Sequence, residues 1–351
     1  MSGPEKSINM NERNFPLISV VVLNWNGNGF VTDCLKSLQA QTYHPLEMIV
    51  VDNGSTDGSD ERIANEFPDV KLIKNGKNLG FGGGNNVGIK ASQGRYIMIL
   101  NNDTRLETRC IEEMKKAIER DDTYGACASR ILLAGDSHLL DAAGICIYPD
   151  GLSIGRGRLE DPDRYRIEEE VFFASGCACL FRREMLEDIG LFDDDFFAYA
   201  DEADLGWRAQ LRGWKCVYNP NAVVYHFHSA SYGTYSPLKA FLVERNRIWV
   251  ALKYFPFPLL VTGPFYTLWR YLFQAYGALF GKGAAGRFTK ENSRLKLIIV
   301  LLKVYISVLK HIPSILKKRK EFRDKKVISG KEVKKLFKRF GISAKTISLK
   351  E

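Results

Sequence analysis

Cysteine is scarce and unpatterned here: seven residues in 351, odd in number and scattered. That excludes a disulfide-stapled secreted scaffold and fits a reducing compartment. Cys177 and Cys179 stand two apart on an expected strand, but no second pair is placed to complete a zinc site. The first fifteen residues, MSGPEKSINMNERNF, lack an apolar stretch, so no secretory signal is expected there. No clean run of about twenty apolar residues occurs, so a simple membrane span is not expected. Internal repeats and low-complexity tracts are missing too. What is present is 45% hydrophobic, 12% aromatic and 26% charged. That composition suffices for one large or two modest packed cores and excludes disorder as the main state.

The net charge of +9 is unevenly distributed. Residues 1–281 carry 29 Lys and Arg against 36 Asp and Glu, whereas residues 282–351 carry 21 against 5. A mildly acidic body thus precedes a strongly basic tail, and such a tail seeks an anionic surface, either lipid or nucleic acid.

Between residues 17 and 133, short apolar runs alternate with stretches of helical spacing. LISVVVLN (17–24), MIVVD (48–52), VKLI (70–73) and YIMIL (96–100) read as buried parallel strands. The intervening segments carry helices, so the expected fold class is α/β, a doubly wound, mostly parallel sheet with helices on both faces. From 134 to 235 the pattern is mixed, with strands at LDAAGICIY, EVFFASGCACLFRRE and NAVVYH and a helix at AYADEADLGWRAQLRGW. Beyond 236 it is helical and apolar.

Polar residues gather where the strands finish: Asn24, Asp52–Asn53 and Asn101–Asn102–Asp103. Ligands of open α/β sheets bind there. Asp52 ends a strand where turn chemistry does not need an acid, and a carboxylate there can accept from a base or a ribose hydroxyl. NLGFGGGNNVG (78–88) resembles a dinucleotide loop but has Asn85 where the third glycine belongs, and it falls in the third βα unit. A glycine-rich turn feeding a helix N-terminus still suits a phosphate or sugar. Asp103 could hold a hard divalent cation together with a substrate diphosphate, or simply cap. Asp201, Glu202 and Asp204 open a helix, where acids complement the dipole. One of them could instead serve as a general base. His226 and His228 alternate at a strand end beside HSAS, an arrangement that suits metal or phosphate ligands.

Together, ISVVVLNWN, VVDNGSTDGS, KNLGFGGGNNVGI, ILNNDT, FFASGCACLFRRE, GLFDDDFFAYADEADLGWRAQLRGW and VVYHFHSAS resemble family 2 glycosyltransferases of the rhamnosyltransferase-like branch, in order over roughly 17–255. The resemblance implies a GT-A fold and inverting sugar transfer from a nucleotide diphosphate sugar, with dTDP-rhamnose as the first donor to test. It assigns Asp52 to the nucleobase, with Asn24, Asn78, Asn85 and Asn102 on the donor side. Asp103 and His226 become ligands of Mg²⁺ or Mn²⁺, and Asp201 or Glu202 the base, with Glu202 at the position where the family places its aspartate. Ser175, Gly176, Asp204, Arg208, His228 and Arg245 are expected as acceptor or phosphate contacts. Two departures stand out: the acid pair is written Asp-Glu rather than Glu-Asp, and Asn101 replaces the first acid of the Asp-x-Asp motif. They leave a catalytically inactive sugar-nucleotide-binding protein as the alternative.

The expected organisation is an extension (1–16), a transferase domain (17–255, donor half 17–133 and acceptor half 134–255), an amphipathic helical region (256–320) and a basic tail (321–351). In RLKLIIVLLKVYISVLKHIPSILKK, Lys296, Lys303, Lys310 and Lys317 recur every seven residues along an otherwise apolar helix. With aromatic residues before it and KKRKEFRDKK after it, an interfacial helix on anionic lipid is expected, at the cytoplasmic face of the cell membrane, peripheral or monotopic. Those lysines interleave with aliphatic rather than stacking residues, so no nucleic-acid partner is expected. The expected acceptor is a lipid-linked or polymeric saccharide.

Overall fold

The computed structural model describes residues 15–228 and 236–350. Most of the 1–16 extension, and Ser229–Ser231 of the HSAS segment, lie outside the described residues. The first half builds β1 (Ile18–Asn24), α1 (Val31–Gln39), β2 (Leu46–Asp52), α2 (Ser59–Glu66), β3 (Lys71–Lys74), α3 (Gly80–Ala91), β4 (Tyr96–Asn101), β5 (Thr104–Leu106), α4 (Cys110–Ile118) and β6 (Tyr124–Leu133). Then come β7 (Asp136–Ala142), β8 (Ile145–Ile147), β9 (Ser153–Gly155), β10 (Glu169–Val171), β11 (Ala178–Arg182), α5 (Arg183–Ile189), α6 (Asp201–Leu211) and β12 (Lys215–His226). Six helices follow: α7 (Pro237–Tyr254), α8 (Phe257–Phe280), α9 (Gly283–Glu291), α10 (Arg294–Arg323), α11 (Gly330–Phe340) and α12 (Ala344–Leu349).

The sheet runs β10-β12-β6-β11-β4-β1-β2-β3, with β5 and β7 joined to β12 and β6. The four strands read as parallel are parallel: β3, β2, β1 and β4 pair side by side in one direction. Val20, Val21 and Val22 on β1 are all fully buried, as expected for a strand covered on both faces. β11 runs antiparallel between β4 and β6, so the sheet is mixed in its second half. This alignment brings the carboxyl ends of β1, β2, β4 and β12 to one edge.

α3 departs from the expected glycine-rich turn, because the glycines lie inside the helix. A Cβ on Gly84 would stand 2.4 Å from Leu23 Cδ1, and one on Gly88 would stand 2.3 Å from Val21 Cγ1. The glycines let the helix lie directly on the sheet. Their helix penalty, about 1 kcal/mol each relative to alanine, is offset by that close packing.

The C-terminal helices dock on this body. α10 buries Val300, Val304, Val308 and Ile315 and packs along α7. The segment expected to be a basic tail folds into α11 and α12. Phe337 of α11 packs on Trp207 and Phe255, and Ile347 of α12 clusters with Tyr148. Lys296, Lys303, Lys310 and Lys317 are exposed on α10. Among the described residues no helix is long and apolar enough to cross a membrane. α8 nevertheless exposes Phe257, Val261, Phe265, Leu268, Trp269, Leu272, Tyr276 and Leu279, and α10 exposes Leu295, Ile298, Leu302, Ile306 and Leu309.

Candidate active site

A cleft of about 700 Å³ opens at the carboxyl edge of the sheet. Its floor is built by side-chain amides. Asn24, fully buried at the end of β1, donates to Asp52 Oδ1 (3.0 Å), Ser55 Oγ (3.2 Å) and Ser59 Oγ (2.9 Å) and accepts from Asn102 Nδ2 (2.8 Å). One residue thereby ties the ends of three strands together. Asp52 also accepts from the backbone N–H of Gly54 and Ser55. Asn24 and Asp52 therefore lie beneath the cleft, while Trp25, Asn53, Asn78 and Asn102 line it. Asn53 donates to Asn78 Oδ1 (3.0 Å) and to the Gly80 carbonyl (3.1 Å).

At the second end the cleft reaches an acid–imidazole cluster. β12 pairs with β5 so that His226 stands opposite Thr104, next to Asp103. His226 Nε2 lies 3.3 Å from Asp103 Oδ1, and its Nδ1 lies 2.8 Å from Asp141 Oδ2. His228 Nε2 lies 3.0 Å from Asp141 Oδ1, and the two imidazole rings are 4.0 Å apart. Arg158 closes on the same carboxylate. Burial would raise the Asp141 carboxyl, but hydrogen bonds and charge from both histidines hold it well below its ordinary range. Burial would lower His226, yet Cys177, Asp103 and Asp141 push it well above its ordinary value.

The ligand atoms of Asp141, His226 and His228 all lie within 4.8 Å of one another. Two imidazoles with two carboxylates suit a divalent first-row cation such as Mn²⁺, and Mg²⁺ where substrate oxygens complete the shell. The residues present thus fit a divalent ion. Asp141 escaped the sequence reading: it sits in a strand, LDAAGICIY, with no local metal-ligand spacing.

The third wall is the N-terminus of α6. Phe197, Tyr199 and Ala200 carry φ values of 67°, 66° and 64°. Left-handed backbone costs non-glycine residues about 1–2 kcal/mol each, so the surroundings must hold this loop in place. Gly80 meets it closely: φ is 77°, Phe81 N donates to Phe197 O (2.6 Å), and an added Cβ would stand 2.2 Å from that oxygen. The loop delivers Asp201 and Glu202 to the cleft. Glu202 is half-buried, and burial raises its carboxyl. Asp201 is buried, and neither of its oxygens has a hydrogen-bond partner among the described residues. Burial first, then the charges of Glu202, Asp204 and Asp193, push its carboxyl far up.

Ser175, Gly176 and His228 line the cleft. Four expected contacts are placed elsewhere. Asp204 and Arg208 form a buried ion pair (2.9 Å), with Lys253 and the Tyr254 hydroxyl on the same carboxylate, because α6 turns this face to the core. Arg245 stacks 4.3 Å over Trp249 and donates to Phe196 O. Asn85 is buried on α3 and donates to Phe81 O (3.0 Å).

The glycosyl transferase family 2 model matches residues 19–190. The N-acetylglucosaminyl-diphospho-decaprenol L-rhamnosyltransferase of Mycobacterium tuberculosis is 27% identical over 269 residues, covering 66% of this chain and 86% of that protein. The succinoglycan biosynthesis protein ExoO of Rhizobium meliloti is 29% identical over 62% of each chain, slightly under two thirds of its length. GalNAc-T7, solved with UDP, GalNAc and Mn²⁺, superposes with a TM-score of 0.57 at 17% identity. That match covers 70% of this chain and 49% of GalNAc-T7, so the chain spans about half of that structure, and the likeness is one of fold.

Proposed function

Since the chain belongs to glycosyl transferase family 2, we propose that it performs an inverting single displacement. The sugar passes from a nucleotide diphosphate donor, best read as dTDP-rhamnose, to a saccharide carried on a lipid or polymer. One observation carries the reading: the amide-lined strand ends, the Asp–His cluster and the raised carboxyl of Glu202 all face one cleft. Asn53, Asn78 and Asn102 hold the donor over the Asn24–Asp52 hub. Asp103, Asp141, His226 and His228 hold a divalent cation, Mg²⁺ or Mn²⁺, which when bound neutralises charge on the leaving diphosphate. Glu202 takes the proton of the acceptor hydroxyl as that oxygen attacks the anomeric carbon. A carboxyl raised by burial is a stronger base near neutral pH. No covalent sugar–enzyme intermediate forms.

The acceptor is met at an anionic membrane surface on the cytoplasmic face. The exposed apolar rows of α8 and α10, flanked by the four lysines, support that placement. The test is a thermal-shift screen of nucleotide sugars with Mn²⁺ or Mg²⁺, followed by anomeric NMR of the product. One donor should raise the melting temperature in a metal-dependent way and be transferred with inversion. A donor that binds but is neither hydrolysed nor transferred would identify a binding protein instead.

A further inference from the structure

We infer that Asn246 is a positioning residue for this transfer: its amide holds the loop ahead of α6 in the shape that presents Glu202 to the cleft. The inference rests on the role proposed for Glu202. Asn246 lies on α7, fully buried, far along the chain from the loop it meets. Its Nδ2 donates to the carbonyls of Phe196 (3.1 Å), Ala198 (2.8 Å) and Tyr199 (2.7 Å). An amide nitrogen has two hydrogens, so one is shared among the three acceptors. Oδ1 accepts from Arg245 Nε (2.8 Å), which fixes the amide with its nitrogen toward the loop. Arg245 donates again to Phe196 O (2.8 Å).

Phe196 O also accepts from Ala198 N (2.9 Å), but the left-handed loop cannot place all three carbonyls in a regular helix or ladder, and a buried carbonyl that loses a partner destabilises the shape that buries it. The same loop touches the donor side, where Phe197 O accepts from Phe81 N. Asn246 thus fixes the base relative to the donor wall from a buried position that does not line the cleft.

The test uses the full chain and two variants, Asn246→Asp and Asn246→Ala. Aspartate keeps the size but has no amide hydrogens, so a role in packing alone predicts a mild Asp variant. Hydrogen-bond donation predicts that Asp is at least as severe as Ala. Amide hydrogen exchange read by mass spectrometry should quicken at least about tenfold over residues 196–204 in both, and stay unchanged in β1–β4. In transfer assays kcat should fall on the order of a hundredfold, the scale of a 1 Å misplacement. The donor KM should move less than about threefold. Unchanged exchange over 196–204, or an Asn246→Asp variant with near-normal kcat, overturns the inference. A wild-type protein that transfers nothing while the exchange result holds would instead refute the role of Glu202. Should Asn246→Asp fail to fold, Arg245→Met, at a partly exposed position, reads the same loop and should show the same kcat-against-KM split; unaltered kcat there also overturns it.

Discussion

Replacing the two neighbouring acids separately divides the reaction from the fold. Glu202 is half-buried at the cleft, and among the described residues no hydrogen bond or ion pair ties its carboxylate to the core. Glu202→Gln keeps the shape and removes only the proton acceptor. A positioned general base contributes roughly 10²–10⁴ in rate, about 3–5 kcal/mol of barrier, so kcat should fall by that factor with donor affinity unchanged. Asp201 sits behind it, its oxygens buried and Oδ1 only 3.0 Å from where a Gly82 Cβ would stand. Asp201→Asn should retain transfer within about tenfold. It should also change stability in a defined direction. The Asp201 carboxyl is raised in the folded state, so the native protein binds a proton that the unfolded chain has released. Wild-type stability is then fullest below the ordinary aspartate range and falls as pH rises from about 4 toward the raised folded value. Asparagine is neutral at every pH, so Asp201→Asn should melt higher than wild type at pH 7, and the difference should vanish near pH 4. Coupled nucleotide-release kinetics and calorimetry at the two pH values read both effects. An inactive Asp201→Asn beside an active Glu202→Gln would refute the argument.

Asp141→Asn removes the charge shared by His226 and His228, and Mn²⁺ binding followed by electron paramagnetic resonance should weaken about 10–100-fold; unaltered binding would place the cation elsewhere. Trp269→Glu with Leu272→Glu takes two large exposed side chains off the α8 face, worth about 3–6 kcal/mol if both enter lipid. Flotation with phosphatidylglycerol vesicles should drop more than tenfold, and unchanged flotation would mean this face does not meet the bilayer. Point substitutions are the right tool here, because deleting residues 282–351 would also strip the buried valines of α10 from α7. Gly88→Ala drives a Cβ to 2.3 Å from Val21. Overpacking of about 1–3 kcal/mol, less the alanine helix gain of up to about 1 kcal/mol, should lower the melting temperature, and a more stable variant would refute the close-packing account of α3.

The parallel half of the sheet was legible because buried parallel strands are written as unbroken apolar runs with polar ends. β1, β2 and β4 each appear as such a run, and Asn24, Asp52 and Asn101 mark where each stops, whereas β3, expected as buried, is an edge strand of only partly buried and exposed residues. α3 was misread for the opposite reason. Glycine weakens a helix in isolation, and only the close contacts with Leu23 and Val21 reveal why Gly84 and Gly88 belong inside one. Asp141 was invisible because its partners stand 85 and 87 positions further along, brought close by the β6–β7 and β6–β12 pairings. Asp204 and Arg208 were drawn toward the site by sequence proximity to Glu202. A helix turns about 100° per residue, so two steps from Glu202 already face the core. The basic tail was read as charge alone, since the apolar positions of α11 gain meaning only against Trp207 and Phe255.

The two halves of the proposed chemistry share a mechanical support. Lys318 of α10 contacts Asp193 and Asp195, each at 2.6 Å, and Lys253 of α7 contacts Asp193 at 2.8 Å. These acids begin the segment that becomes the left-handed loop and then the helix carrying Glu202. Burial alone would raise Asp193, but the two lysines hold it down at about 2, so the pairing persists across the physiological range. The helix that shows its lysines and leucines to the outside is thus ion-paired, on its inner side, to the segment that carries the base. Exposed ion pairs contribute little, about 0–1 kcal/mol. Asp193 and Lys253 are mostly buried, and breaking such a pair is costly because it strands a charge. On the proposed membrane placement, a layer attached this way would set where an acceptor approaches Glu202, with any lipid portion along the exposed rows of α8 and α10.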